Sequence, residues 1–201
     1  MYQRVLGPRF KGLDPQLQRY FGAIPAAFEG RGVGRYERAG LRRRILRPVF
    51  AILGWRHIAF SESGSDVPFT VQNVAQPDGS LSATRTFEFA RGVRTMRDRM
   101  RVVEGRLIDR IGTRGEIEVE FAVDVVRGGL RMQSRRIALR LGRVRLPLAP
   151  LVRVVIEERA VRGGCGQRVD VRMLLPLVGE IYGYSGGFIY SLVPKGTIRG
   201  T

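Results

Sequence analysis

Arg85, Asp98 and Asp109 are ionisable residues placed on an alternating face that is otherwise apolar. In Leu81–Phe89 the odd-numbered residues are Leu81, Ala83, Arg85, Phe87 and Phe89. In Arg94–Val102 the even-numbered ones include Met96, Asp98, Met100 and Val102. A guanidinium and carboxylates on a face turned from water must pair, and breaking such a pair costs roughly 3–5 kcal/mol. Two chemistries are open to the cluster. It is a polar anchor in an apolar cavity, orienting a carboxylate or carbonyl of a small molecule. Alternatively it supplies an acid or base, if neighbouring carboxylates push one proton affinity upward. The plainer structural alternative is a salt bridge that fixes strand register, or a face open to solvent near a barrel rim. Arg85, Asp98 and Asp109 are therefore the candidate ligand-binding residues, and no catalytic residue or metal ligand is assigned.

The elements that position them follow from register. Folding about Arg91-Gly92 sets Phe87 opposite Met96, Arg85 opposite Asp98 and Ala83 opposite Met100. Folding about Glu104-Gly105 sets Val102 opposite Leu107, Met100 opposite Asp109 and Asp98 opposite Ile111. A turn at Gly112–Glu116 sets Ile111 against Ile117, Asp109 against Val119 and Leu107 against Phe121. Arg127-Gly128 then sets Val125 against Leu130 and Val123 against Met132. Four successive turns keep one face apolar, as a half-buried sheet requires. Beyond Ser134 the apolar phase slips, which predicts a bulge near Arg135-Arg136. Leu146 to Pro150 reads as a proline-bounded crossing. A further hairpin pairs Val152–Val161 with Arg168–Leu175, and strands around Phe69-Val71 and over Ile181–Tyr190 complete the set.

The pattern predicts a mainly β fold: an up-and-down antiparallel β-barrel, or a strongly curved sheet, of 8–10 strands with one or two short N-terminal helices. Sheets this long curl or close, and a closed one of this size holds a small ligand. A sheet wrapped round a long C-terminal helix is excluded by Pro176, Gly179, Gly183, Gly186-Gly187 and Pro194. Residues 1–201 read as a single domain, a mixed helix/strand part over 1–60 packing on the 67–190 meander. Asp14-Pro15 and Gly22 frame a short helix, and Val33–Ala39 reads as a strand.

Composition narrows the function. The chain has 201 residues, and 35 basic against 18 acidic side chains give a net charge of +17. One cysteine and one histidine exclude a disulfide framework and a Cys/His zinc site. Lys11 and Lys195 are the only lysines, which excludes an interior Schiff base. No apolar run spans a bilayer, and residues 1–13 lack a signal-peptide core, so a cytoplasmic location is expected. No cofactor is expected. The charge attracts anionic partners, nucleic acid or an anionic membrane. It is spread along the chain, however, and aromatic residues are not interleaved with it for base stacking. Leu41–Trp55 starts with the basic run Arg42-Arg43-Arg44 and finishes apolar. It fits contact with an anionic membrane surface, and fits better a helix that plugs or flanks the barrel with its charges outward.

Other motifs fail on context. Gly183-Tyr184-Ser185-Gly186-Gly187 matches G-x-S-x-G, but no helix follows and the only histidine lies upstream; a Gly-rich bend in the last strand is the better reading. Gly30-Arg31-Gly32-Val33-Gly34 precedes a strand, so it is not a dinucleotide loop. His57 reads as a satisfied structural histidine, and Cys165 as an exposed turn residue with no resolving partner.

An ordered series of motifs runs through the chain: Val67-Pro-Phe-Thr-Val-Gln-Asn73, Arg85-Thr-Phe-Glu-Phe89, Gly105-Arg-Leu-Ile-Asp109-Arg-Ile-Gly112, Gly128-Gly-Leu130, Arg145-Leu-Pro-Leu148, Pro176-Leu-Val-Gly179 and Tyr184-x-Gly-Gly-Phe188. It resembles the bacterial domain-of-unknown-function family 4166 from about Tyr2 to Tyr190. The resemblance implies that Arg85 and Asp109 lie within family motifs, whereas Asp98 rests on register alone. It also implies a dehydrogenase-like partner, since such domains occur attached to dehydrogenase-like nucleotide-binding domains. The expected function is a barrel binding a small apolar or amphipathic ligand through an interior Arg/Asp anchor. The alternative is a cofactor-free barrel enzyme, an isomerase or cyclase, in which Asp98 or Asp109 moves a proton.

Overall fold

The computed structural model describes residues 1–142, 144–148, 151–161, 163–164 and 166–196. Two short helices open the chain, α1 (Tyr2–Leu6) and α2 (Pro15–Tyr20). Strand β1 (Phe28–Leu41) follows, then a third helix, α3 (Arg47–Trp55). Ten strands come next: β2 (Ser63–Ala75), β3 (Leu81–Phe89), β4 (Gly92–Val103), β5 (Arg106–Ile111), β6 (Ile117–Val126), β7 (Gly129–Leu141), β8 (Val144–Pro147), β9 (Arg153–Ala160), β10 (Gly166–Leu175) and β11 (Gly179–Pro194). Every pairing is antiparallel, and sequence neighbours pair except at β8, which β9 passes over to pair with β7. β1 joins β11 and β6 joins β7, so ten strands close into an up-and-down barrel. Closure leaves the barrel without edge strands. The short strand β8 hairpins back onto the far half of β7, where a crossing was expected.

Three of the four predicted turns have the expected register. Val102 faces Leu107, Asp109 faces Val119, and Val123 faces Met132. Glu104-Gly105 and Arg127-Gly128 have positive φ at both residues, as a primed hairpin turn requires. The bulge is present too: Phe121 faces Ser134 and Glu120 faces Arg136, which leaves Arg135 extra. The first turn differs. Phe89 pairs with Gly92, so Arg85 faces Met96 and Asp98 faces Ala83, a slip of two residues from the expected pairing. A slip of two keeps every side chain on its face, so apolar alternation cannot detect it. Turn geometry decides instead, and Gly92 takes a φ of 124° that a side chain would resist.

Helical segments close both ends. Asp14 caps α2, accepting from the Gln16 amide at 2.9 Å, while its own amide donates to Gly128 at the β6–β7 turn at 2.8 Å. This sets Tyr2, Leu6, Leu17 and Phe21 against Met100, Leu107, Phe121, Leu130 and Met132. At the opposite end α3 places Phe50 and Leu53 against Tyr182 and Phe60, beside Tyr36, Phe69 and Phe87. α3 is the helix expected within Leu41–Trp55 to plug or flank the barrel. Pro48 falls in its first turn, where the missing N–H costs nothing, so the proline starts the helix and does not break it. No helix among the described residues is long and apolar enough to cross a membrane.

The two glycine motifs serve this packing. Gly30-Arg31-Gly32-Val33-Gly34 lies inside β1 and not ahead of it. Val33 points outward while Gly30, Gly32 and Gly34 face Tyr190, Val71 and Phe188; a Cβ on Gly32 would sit 2.6 Å from Val71 Cγ1. Tyr184 to Gly187 lies inside β11, opposite a bulge in β1 between Tyr36 and Arg38. His57 is satisfied by the Thr95 carbonyl, 3.1 Å from its Nδ1. Cys165 lies outside the described residues.

Candidate interior site

The two apolar clusters meet at a polar layer. Arg85 on β3 faces Val71 of one cluster, and Asp109 on β5 lies between Met100 and Val119 of the other. Asp98 on β4 forms an ion pair with Arg85. The structure thus brings all three candidate residues to one interior layer and adds a fourth. Glu158 on β9 stands between Leu130 and Val169 and accepts a hydrogen bond from Gln167 Nε2 at 2.9 Å. Asp98, Asp109 and Glu158 are buried, while the Arg85 side chain keeps 21% of its surface accessible. One guanidinium therefore serves three carboxyl groups.

Arg85, Asp98 and Glu158 line a cavity of about 60 Å³, with Tyr2, Tyr20, Tyr36 and Tyr184 around them and Met100, Met132, Ile156 and Phe188 as apolar wall. A cavity of that size holds on the order of four waters. Asp98 Oδ2 and Asp109 Oδ1 are buried and find no hydrogen-bond partner among the described residues. Tyr2, Tyr20 and Phe21 also border an outer recess of about 170 Å³ reaching Ile24, Gln76, Ser80 and Tyr190. The N-terminal aromatics form the partition between the two spaces.

Burial controls the electrostatics. It pushes the Asp109 carboxyl up to about 7 although Arg85 and the Arg110 amide pull it down. It pushes Glu158 up to about 7 against Arg85 and Gln167. Burial opposes the charge on Arg85 as well, but its proton affinity is raised on balance, with Asp109 among the groups that favour the charged guanidinium. Burial also lifts the phenols of Tyr2, Tyr20, Tyr36 and Tyr184, keeping them neutral. Near neutral pH the layer is an Arg85–Asp98 pair flanked by two carboxyls that hold or release a proton with little bias. Among the described residues, no three His, Cys, Asp or Glu side chains gather closely enough to hold a metal ion.

Glu158 continues the alternation Val154, Ile156, Glu158 on β9, so the signal for it was the same inward parity that exposed Arg85. The tyrosines gave no such signal. Tyr2 and Tyr20 lie on helical segments and enter the barrel through its end.

Fold and layer together define a closed antiparallel barrel with an ionisable interior. The family described as Domain of unknown function (DUF4166) matches residues 13–188, and the chain belongs to it. No curated protein matches the chain.

Proposed function

We propose that the barrel takes one small amphipathic molecule into its interior, with the molecule's polar end at Arg85, Asp98, Asp109 and Glu158. The observation that carries this reading is a pair of buried carboxylate oxygens, Asp98 Oδ2 and Asp109 Oδ1, left without partners in a layer that also holds a cavity. Groups so placed lose solvation without compensation unless something donates to them, so a hydroxyl or ammonium fits there. Arg85 donates to a carbonyl or carboxylate on the same molecule, and the apolar remainder lies against Met100, Ile156 and Phe188. Because 60 Å³ is small, anything beyond a few heavy atoms displaces Tyr20 and Phe21 and extends into the outer recess. Native mass spectrometry of the protein purified from its own host tests the reading. A co-purifying mass lost in a folded Arg85→Ala variant supports it; the same mass retained by that variant rejects it.

A second reading has its own observation, the proton affinities of Asp109 and Glu158. Acid–base catalysis is most effective when the group's pKa lies near the working pH, and both carboxyls are raised to about 7. One releases a proton to the bound molecule while the other accepts one, which keeps the protein's total proton count constant, and proton exchange between the two carboxyls restores the starting state, as an isomerase or cyclase requires. Solvent deuterium entering the recovered ligand in wild type, but not in Asp109→Asn or Glu158→Gln, separates this reading from simple binding.

A further inference from the structure

We propose that the barrel end closed by α3 docks on an anionic membrane surface. α3 reads Arg-Pro-Val-Phe-Ala-Ile-Leu-Gly-Trp, with one charge at its start and none after it. Its inner stripe, Leu46, Phe50 and Leu53, seals the barrel. The opposite side was expected to carry charges outward, yet Pro48, Val49, Ala51, Ile52 and Trp55 occupy it. With Ile45 ahead of the helix, the side chains at 45, 52 and 55 are 87%, 65% and 78% exposed. A helix apolar all round belongs in a core or at a lipid boundary.

The patch extends across the fold. Arg43 donates to the Val178 carbonyl at 3.1 Å, which holds the β10–β11 turn beside the start of α3. That turn exposes Leu177 and Val178. Two segments 120 or more residues apart thus expose apolar side chains at the same end of the barrel, and exposed apolar patches mark interaction sites.

Charge selects the occupant. Arg43, Arg44 and Arg47 are exposed at the border of the patch and form no ion pair among the described residues. Arg42 pairs with Glu180 at 2.7 Å and Arg56 with Glu116 at 2.8 Å, and Arg56 also lies 5.5 Å above the Trp55 ring. Apolar side chains at the centre with free guanidinium groups at the edge suit acyl chains beneath anionic headgroups. A second copy of this chain would instead set one ring of arginines against another.

Trp55 is the chain's one tryptophan, so its fluorescence reports the patch alone. Purified full-length protein is mixed with vesicles of phosphatidylcholine, with and without phosphatidylglycerol, and with brominated lipid as quencher. Emission is expected to move to the blue and be quenched only with phosphatidylglycerol, and to return as salt is raised. Arg44→Ala should lower partitioning about fivefold. Ile52→Glu, at an exposed position and so compatible with folding, should lower it about tenfold or more. Emission unchanged by anionic vesicles overturns the proposal. So does a blue shift without vesicles that grows with protein concentration, which identifies a second copy as the occupant, or a shift produced by RNA and not by lipid.

Discussion

Asp98 meets Arg85 on the diagonal of the β3–β4 ladder: Asp98 stands opposite Ala83 and Arg85 opposite Met96, so the ion pair spans two rungs, past Thr84 and Arg97 on the opposite face. Diagonal neighbours on one sheet face are within reach of a long side chain, and arginine supplies that length. The slip of two residues therefore changes the partners across the ladder without dissolving the cluster.

Removing one member of this pair strands the other. Asp98→Leu is expected to lower stability by about 3–5 kcal/mol, whereas Arg85→Leu and Asp98→Leu together should lose less than the two single changes combined. Urea unfolding of the three variants checks this. Additive losses would mean that the two side chains do not interact.

Arg85 also restrains the proton affinities of Asp109 and Glu158. Without it both carboxyls should rise further, so Arg85→Leu is expected to be more damaging at pH 8 than at pH 5. Unfolding midpoints at the two values give the comparison, and a loss independent of pH would contradict it.

Stability itself should depend on these two groups. In the unfolded chain they release protons near 3.8 and 4.5, and in the barrel near 7, so the folded state binds more protons between those values. Their contribution is complete below about pH 4 and is lost as pH rises through 7. Asp78 acts in the opposite sense: hydrogen bonds from Ser80 hold it near 2, and its contribution disappears as pH falls from about 4 toward 2. Wild type should therefore weaken on both sides of a mildly acidic optimum. Asp109→Asn with Glu158→Gln should flatten the upper limb alone, and the difference from wild type removes the general effect of a +17 chain.

The β1–β11 seam depends on glycine. A Cβ at Gly34 would collide with the Gly187 carbonyl and with Phe188, in backbone that cannot yield. Gly34→Ala should cost more than the roughly 1–3 kcal/mol usual for overpacking and should open the barrel at this seam, read as faster amide exchange in β1 and β11. Gly12→Ala, where the nearest atom would be 3.6 Å away, is the tolerated control.

Much of the barrel was legible because its strands follow in sequence order and each hairpin repeats the same test of alternation. Arg85 and Asp109 stood out as charges at inward positions. Glu158 obeyed the same parity one step beyond the alternation read on β9. The β3–β4 register was not legible, because an even slip preserves both faces and only the backbone of Gly92 distinguishes the two pairings. The tyrosines from α1 and α2 were hidden for another reason. They reach the polar layer through tertiary packing, which no strand period encodes.

The barrel holds two carboxyl groups, Asp109 and Glu158, raised to about 7 beside one guanidinium. Carbon-13 NMR of protein labelled at its aspartate and glutamate carboxyls measures this directly, with Asp109→Asn and Glu158→Gln assigning the signals. Two resonances titrating near pH 7, one disappearing in each variant, are the expected result. All carboxyls ionising below pH 5 would contradict it.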